Sequence, residues 1–133
     1  SDDQIDHIHN LILENRSTKK IDQELIEIIR DIKSKNYKIG LLSNWSIELR
    51  ERLRKQNILN LFDEIVISSE VGYQKPQPEI FQIVADKLNI EMSEMIFVDD
   101  TVRSLEGADK IGYIPILYNN NEILKADLLK IFK

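Results

Sequence analysis

The sequence predicts an α/β fold, a Rossmann-like three-layer sandwich around a mostly parallel sheet. Two observations carry that expectation. Short apolar runs bounded by turn-formers alternate with longer segments of helical periodicity, the pattern of strands joined by helical crossovers. One of those runs, Met95-Ile96-Phe97-Val98, ends in the adjacent acids Asp99-Asp100. An unbroken apolar run fits a strand buried on both faces. Acids at its C-terminal end lie where open α/β sheets place their ligands.

From Asp3 to Leu13, Ile5, Ile8, Leu11 and Ile12 fall at helical spacing, so a helix is expected there. His7 and His9 lie two apart and would point to different faces, which excludes the i, i+4 pair of a zinc helix. Asn15 to Lys20 reads as a polar linker. Ile21 to Lys35 places Ile21, Leu25, Ile28, Ile29 and Ile32 on one helical face, with acids early and lysines late to suit the helix dipole. Lys38 to Leu42 reads as a strand ending at Ser43-Asn44-Trp45. Asn44 or Ser46 can cap a helix to about Gln56 that buries Ile47, Leu49 and Leu53. Ile58, Leu59, Leu61 and Phe62 form a packed connection to a second strand, Ile65-Val66-Ile67.

A polar loop from Ser68 to Pro78 precedes a helix from Glu79 to Leu88, with Ile80, Phe81, Val84 and Leu88 inward. After the Met95–Val98 strand come a helix from Ser104 to Ile111 and its stop signal Gly112. Ile114 to Tyr118 contains Pro115, which cannot donate to a central ladder and marks an edge strand. Asn119-Asn120-Asn121 turns into a terminal helix, Glu122 to Phe132.

The composition excludes several functions. With no cysteine there is no disulfide, thiolate metal site or Cys nucleophile. The net charge of −5 comes without a basic block, against nucleic-acid or membrane-surface binding. No apolar run approaches the roughly 20 residues of a bilayer span, and Ser1-Asp2-Asp3-Gln4 lacks the form of a signal peptide. A soluble, cytoplasmic protein is the expectation.

Three strand ends carry polar chemistry. Ser43 and Asn44 offer a hydroxyl and an amide, or a simple helix cap. Lys75 sits in Gly72-Tyr73-Gln74-Lys75-Pro76-Gln77-Pro78, where two prolines stiffen the backbone around it. Asp99 and Asp100 repel one another and suit a hard cation; Mg²⁺ takes one or two carboxylates and fills its remaining positions with water and phosphate. Tyr73, Gln74 and Trp45 can edge such a pocket. Together these groups suit phosphate chemistry.

In their order, Leu41-Leu42-Ser43-Asn44, then Ser68 to Phe81 around Lys75-Pro76, then Ile96-Phe97-Val98-Asp99-Asp100 with Gly107-Ala108 and Gly112, these residues resemble the haloacid dehalogenase-like (HAD) hydrolase superfamily. The likeness runs over residues 21 to 118 and is greatest to the phosphatase branch with a small helical cap. It implies that Ser43 and Asn44 bind phosphate, that Lys75 stabilises its charge, and that Asp100 ligates Mg²⁺ directly with Asp99 in support. The implied activity is Mg²⁺-dependent hydrolysis of a small phosphate ester through an aspartyl-phosphate. A haloacid dehalogenase of the same fold and a non-catalytic phosphate-binding module are the alternatives.

Two departures stand out. Ser104 occupies a position where many relatives carry Asn or Asp. The Asp-x-Asp motif that supplies the family's nucleophile at the end of its first, central strand is absent from the sequence. Asp2, Asp3 and Asp6 follow no predicted strand and are not taken for it. The resemblance therefore implies a chain that begins inside the cap, with residues 1–20 as cap remnant and linker and 21–133 as core. It further implies a sheet missing its first central strand, self-association through the two edges so exposed, and no turnover by this chain alone.

Overall fold

A computed structural model of the chain describes residues 10–13, 23–44, 48–55 and 57–131. Five parallel strands form its sheet: β1 (Asn10–Leu13), β2 (Ile39–Ser43), β3 (Glu64–Ile67), β4 (Met95–Asp99) and β5 (Ile114–Leu117). Their order is β3-β2-β1-β4-β5. The helices are α1 (Gln23–Ser34), α2 (Glu48–Lys55), α3 (Ser68–Val71), α4 (Pro78–Leu88), α5 (Ala108–Ile111) and α6 (Asn121–Ile131). Short 3₁₀ turns at Leu59–Leu61, Met92–Glu94 and Val102–Leu105 complete the connections.

Strand alternation divides the core into two. Ile39, Leu41, Ile67, Ile96 and Val98 pack into one cluster with Ile26, Ile29 and Ile32 of α1, Leu53 of α2 and Leu124 and Leu128 of α6. Their strand neighbours Leu42, Val66, Met95 and Phe97 face the other way, onto Ile80, Phe81, Val84 and Leu88 of α4 and Ala108 of α5. Successive side chains of a strand point to opposite faces, so each buried strand serves both clusters. That is the expected three-layer sandwich. The edge position of the Pro115 strand is also as expected.

The N-terminal expectation is corrected. Asn10–Leu13, read as the end of a helix, is a strand, and it fills the central slot that was expected to be missing. Leu11 aligns with Ile39 on one side and Ile96 on the other. A short apolar run such as Leu11-Ile12-Leu13 serves a strand or a helix equally. Lying between β2 and β4, it pairs the backbone groups of both. The two edges on which self-association was expected are therefore both paired. Residues 3–9 of the expected helix, the proposed boundary at residue 20, and Trp45, Ser46 and Ile47 lie outside the described residues.

Two smaller differences concern the connections. Ser68–Val71, expected within a loop, is one helical turn ended by Gly72 in the left-handed region at φ 85°. The helix expected from Ser104 to Ile111 is split into a 3₁₀ turn and α5 by Gly107, at φ 81°. A side chain at either glycine would be strained in that conformation. No helix among the described residues is long and apolar enough to cross a membrane.

Candidate functional site

All five strands run in parallel, so their C-terminal ends share one edge. The chain reverses its direction of winding between β1 and β4, and the crevice beyond such a switch point is the general ligand position of open α/β sheets. Asp99 closes β4 at that point, and Ser43 closes β2 on the other side of β1.

Lys75 and Asp99 form the buried centre. Lys75 Nζ donates to Asp99 Oδ2 at 2.9 Å, and neither side chain is exposed to solvent. The other carboxylate oxygen, Oδ1, accepts the Thr101 backbone N–H at 2.8 Å. Below the ammonium lies the Phe97 ring, its centroid 5.5 Å from Nζ. Phe97 in turn packs edge-on against Phe81 and Tyr113, with centroids 5.2 and 5.6 Å away. Burying an ammonium costs far too much free energy unless it is paired, so this carboxylate and ring explain how a lysine can sit inside the fold. The Tyr113 hydroxyl is raised above its ordinary pKa by burial first and by the charge of Asp99 second.

Asn44 holds the lysine loop from the neighbouring strand end. Its Oδ1 accepts the Lys75 backbone N–H at 2.9 Å, while its Nδ2 donates to the Lys75 carbonyl at 3.2 Å. Gln77 Oε1 accepts the Gln74 N–H at 2.7 Å and tightens the same loop. The peptide bond between Lys75 and Pro76 is cis.

Ser43 is the anomaly. Its residue is 0% exposed, and among the described residues its Oγ has no hydrogen-bond partner. Buried hydroxyls are nearly always satisfied, and leaving one unsatisfied costs about 1–3 kcal/mol.

Asp100, in contrast with Asp99, is exposed; its Oδ1 accepts the Thr101 hydroxyl at 3.1 Å. Among the described residues no group of three or more His, Asp or Glu converges on a point. A single exposed carboxylate such as Asp100 could carry Mg²⁺ completed by water and a ligand's oxygens.

A cleft of about 180 Å³ opens over this centre, lined by Asn44, Gln74, Lys75, Thr101, Arg103 and Ser104. A second hollow of about 360 Å³, lined by Ser68, Ser69, Gly72, Tyr73, Gln74 and Gln77, shares Gln74 with it. The structure thus brings together Lys75, Asp99 and Asn44, with Asp100 next along the chain. Gln74 edges the cleft as expected and Tyr73 borders the adjoining hollow. Ser104 is buried and lines the cleft, and its carbonyl accepts the Tyr113 hydroxyl at a long 3.5 Å. Sequence reasoning missed two contributions: the clasp that Asn44 makes on Lys75, and the presence of Arg103. The first joins residues 31 apart; the second is one arginine in a four-residue turn.

The family described as haloacid dehalogenase-like hydrolase matches residues 3–117. The chain is similar to a glyceraldehyde 3-phosphate phosphatase of Methanothermobacter thermautotrophicus, 33% identical over 99 residues, which are 73% of this chain and 43% of that protein. It is also similar to (S)-2-haloacid dehalogenase 4A of Burkholderia cepacia, 29% identical over 94 residues, 70% of this chain and 41% of that one. A crystal structure of an uncharacterized protein from Corynebacterium glutamicum superposes with a TM-score of 0.81 at 21% identity, covering 94% of this chain and 95% of that one. This last likeness concerns the fold alone. The chain spans about two fifths of the length of these two curated relatives.

Proposed function

The chain belongs to the haloacid dehalogenase-like hydrolase family, and from that premise we propose that it forms the phosphate- and metal-binding part of a Mg²⁺-dependent phosphatase acting on a small phosphate ester. The observation that carries this reading is the buried Ser43 hydroxyl at the end of β2, without a partner among the described residues, beside Asn44 and the strand ends that hold Lys75. A donor that the fold leaves unsatisfied is explained by a ligand oxygen that satisfies it.

The roles follow from the chemistry of each group. Ser43 donates to a phosphate oxygen. Asn44 fixes the loop that presents Lys75. The Lys75 ammonium, held in place by Asp99, offsets charge on the phosphoryl oxygens. Unit charges about 4 Å apart interact by roughly 4 kcal/mol at an effective dielectric near 20, and losing that in the transition state would cost about a thousandfold in rate. Asp100 would hold Mg²⁺, which when bound neutralises phosphoryl charge. No Asp-x-Asp motif is present in the sequence to supply an attacking aspartate.

The similarity to a haloacid dehalogenase favours a second reading, hydrolysis of a carbon–halogen bond. The paired acids Asp99 and Asp100 weigh against it, since the dehalogenase branch usually lacks them and needs no Mg²⁺. A full-length enzyme carrying this chain is expected to release phosphate from small esters and to stop when a chelator is added. Halide release from 2-haloacids that continues in the chelator would overturn the phosphatase reading. Phosphate binding by the full-length protein without turnover of any ester would leave a binding module instead.

A further inference from the structure

We propose that Arg103 is a specificity-determining residue, and that the phosphate ester bound here carries a second anionic group, a carboxylate, on its leaving-group side. The inference rests on the phosphatase reading and adds the class of substrate to it. Arg103 lines the same cleft as Lys75, but at a different depth. Lys75 is 4% exposed, whereas Arg103 is exposed at the rim. A phosphate seated against the deep ammonium therefore turns its ester substituent toward the guanidinium.

The charges of the cleft support this placement. The deep ammonium is already matched by Asp99 at 2.9 Å. Of the other described residues lining the cleft, Asn44, Gln74, Thr101 and Ser104 are neutral. The ion pairs found among the described residues include none for Arg103. Its backbone is nonetheless well held. Thr101 N–H is tied to Asp99, Ser104 N–H donates to the Thr101 carbonyl at 3.1 Å, and Glu106 N–H donates to the Arg103 carbonyl at 3.2 Å. A guanidinium in that position offers a planar fork that fits a carboxylate through two parallel hydrogen bonds.

Two uncleavable probes of equal length test the assignment: 3-phosphonopropionate, with a carboxylate at its far end, and propylphosphonate, with a methyl. Each is titrated calorimetrically into the full chain with Mg²⁺ present. The expected result is about tenfold tighter binding of the carboxylated probe, the size of one charge-assisted contact. In Arg103→Gln that ratio should collapse to about one, and in Arg103→Lys, which keeps charge but loses the fork, it should fall between. Measurable binding of both probes with a ratio near one in the unaltered chain overturns the role of Arg103 while leaving the phosphate reading intact. So does a preference that survives in Arg103→Gln. Binding of neither probe overturns the phosphate reading and this inference with it.

Discussion

The Lys75–Asp99 pair should behave as a single structural unit, and its energetics can be worked out from its burial. Both side chains are fully buried and 2.9 Å apart. Lys75→Met keeps most of the stem's volume but leaves the Asp99 carboxylate without its ammonium. Asp99→Asn leaves the ammonium without its counter-charge. Breaking a buried pair from one side typically costs about 3–5 kcal/mol, because a charge stays in low dielectric uncompensated. For a domain of this size that is a drop of roughly 10–20 °C in melting temperature. The double variant Lys75→Met/Asp99→Asn removes both charges, so its loss should fall short of the sum by about 2 kcal/mol or more. Urea unfolding followed by circular dichroism supplies the four free energies of the cycle. Because the pair is buried, moderate salt should change the coupling little. Single losses below about 1 kcal/mol, the size typical of exposed pairs, or strict additivity would refute the reasoning.

Other expectations concern separate regions. Asp100→Asn, at an exposed position, should change stability by no more than about 0.5 kcal/mol while removing the Mg²⁺ dependence of phosphate binding; unchanged Mg²⁺ dependence in a calorimetric titration would move the metal elsewhere. Glu70 accepts from Arg50 at 2.8 and 3.0 Å, and that hydrogen bonding first of all holds its carboxyl below the usual carboxylate range. A lowered folded pKa gives stability that is present above the ordinary value of about 4.3 and lost as pH falls through the lowered one. Glu70→Gln should therefore cost up to about 1 kcal/mol at neutral pH and nothing at pH about 2, as read from unfolding curves at both. Tyr113 has the opposite sign. Its raised pKa means stability that is complete below about 10 and declines above it, so Tyr113→Phe should soften the alkaline loss of stability. Equal alkaline unfolding of parent and variant would show that another group controls it.

How much could be read beforehand depended on whether a signal was local. Met95–Asp99 announced itself because four consecutive apolar residues lead directly into the two acids, and the strand is buried throughout. Lys75 was legible from the prolines around it. The edge position of Ile114–Leu117 was legible from one residue, since Pro115 lacks the N–H a central strand must donate. Asn10–Leu13 was misread because the helical spacing of Ile5, Ile8, Leu11 and Ile12 runs into it, and a four-residue segment has too few turns for period to discriminate. What decides its strand state is pairing with β2 and β4, more than 25 and 80 residues away in sequence. Ser68–Val71 is a single turn with no periodicity to detect. Ser43 could be nominated from its position at a strand end, but its lack of a partner is a property of three-dimensional packing alone. Asn44 was nominated for phosphate; its hold on the Lys75 backbone is a tertiary contact that no spacing encodes.

Ser43→Ala tests the central claim most directly, because the fold and the site make opposite demands on that hydroxyl. If Ser43 Oγ is kept unsatisfied for a phosphate oxygen, removing it relieves a buried polar cost of about 1–3 kcal/mol. The variant should then melt at or above the temperature of the parent chain and bind inorganic phosphate at least about tenfold more weakly in the presence of Mg²⁺. A variant that melts lower and binds phosphate as well as the parent would contradict the account.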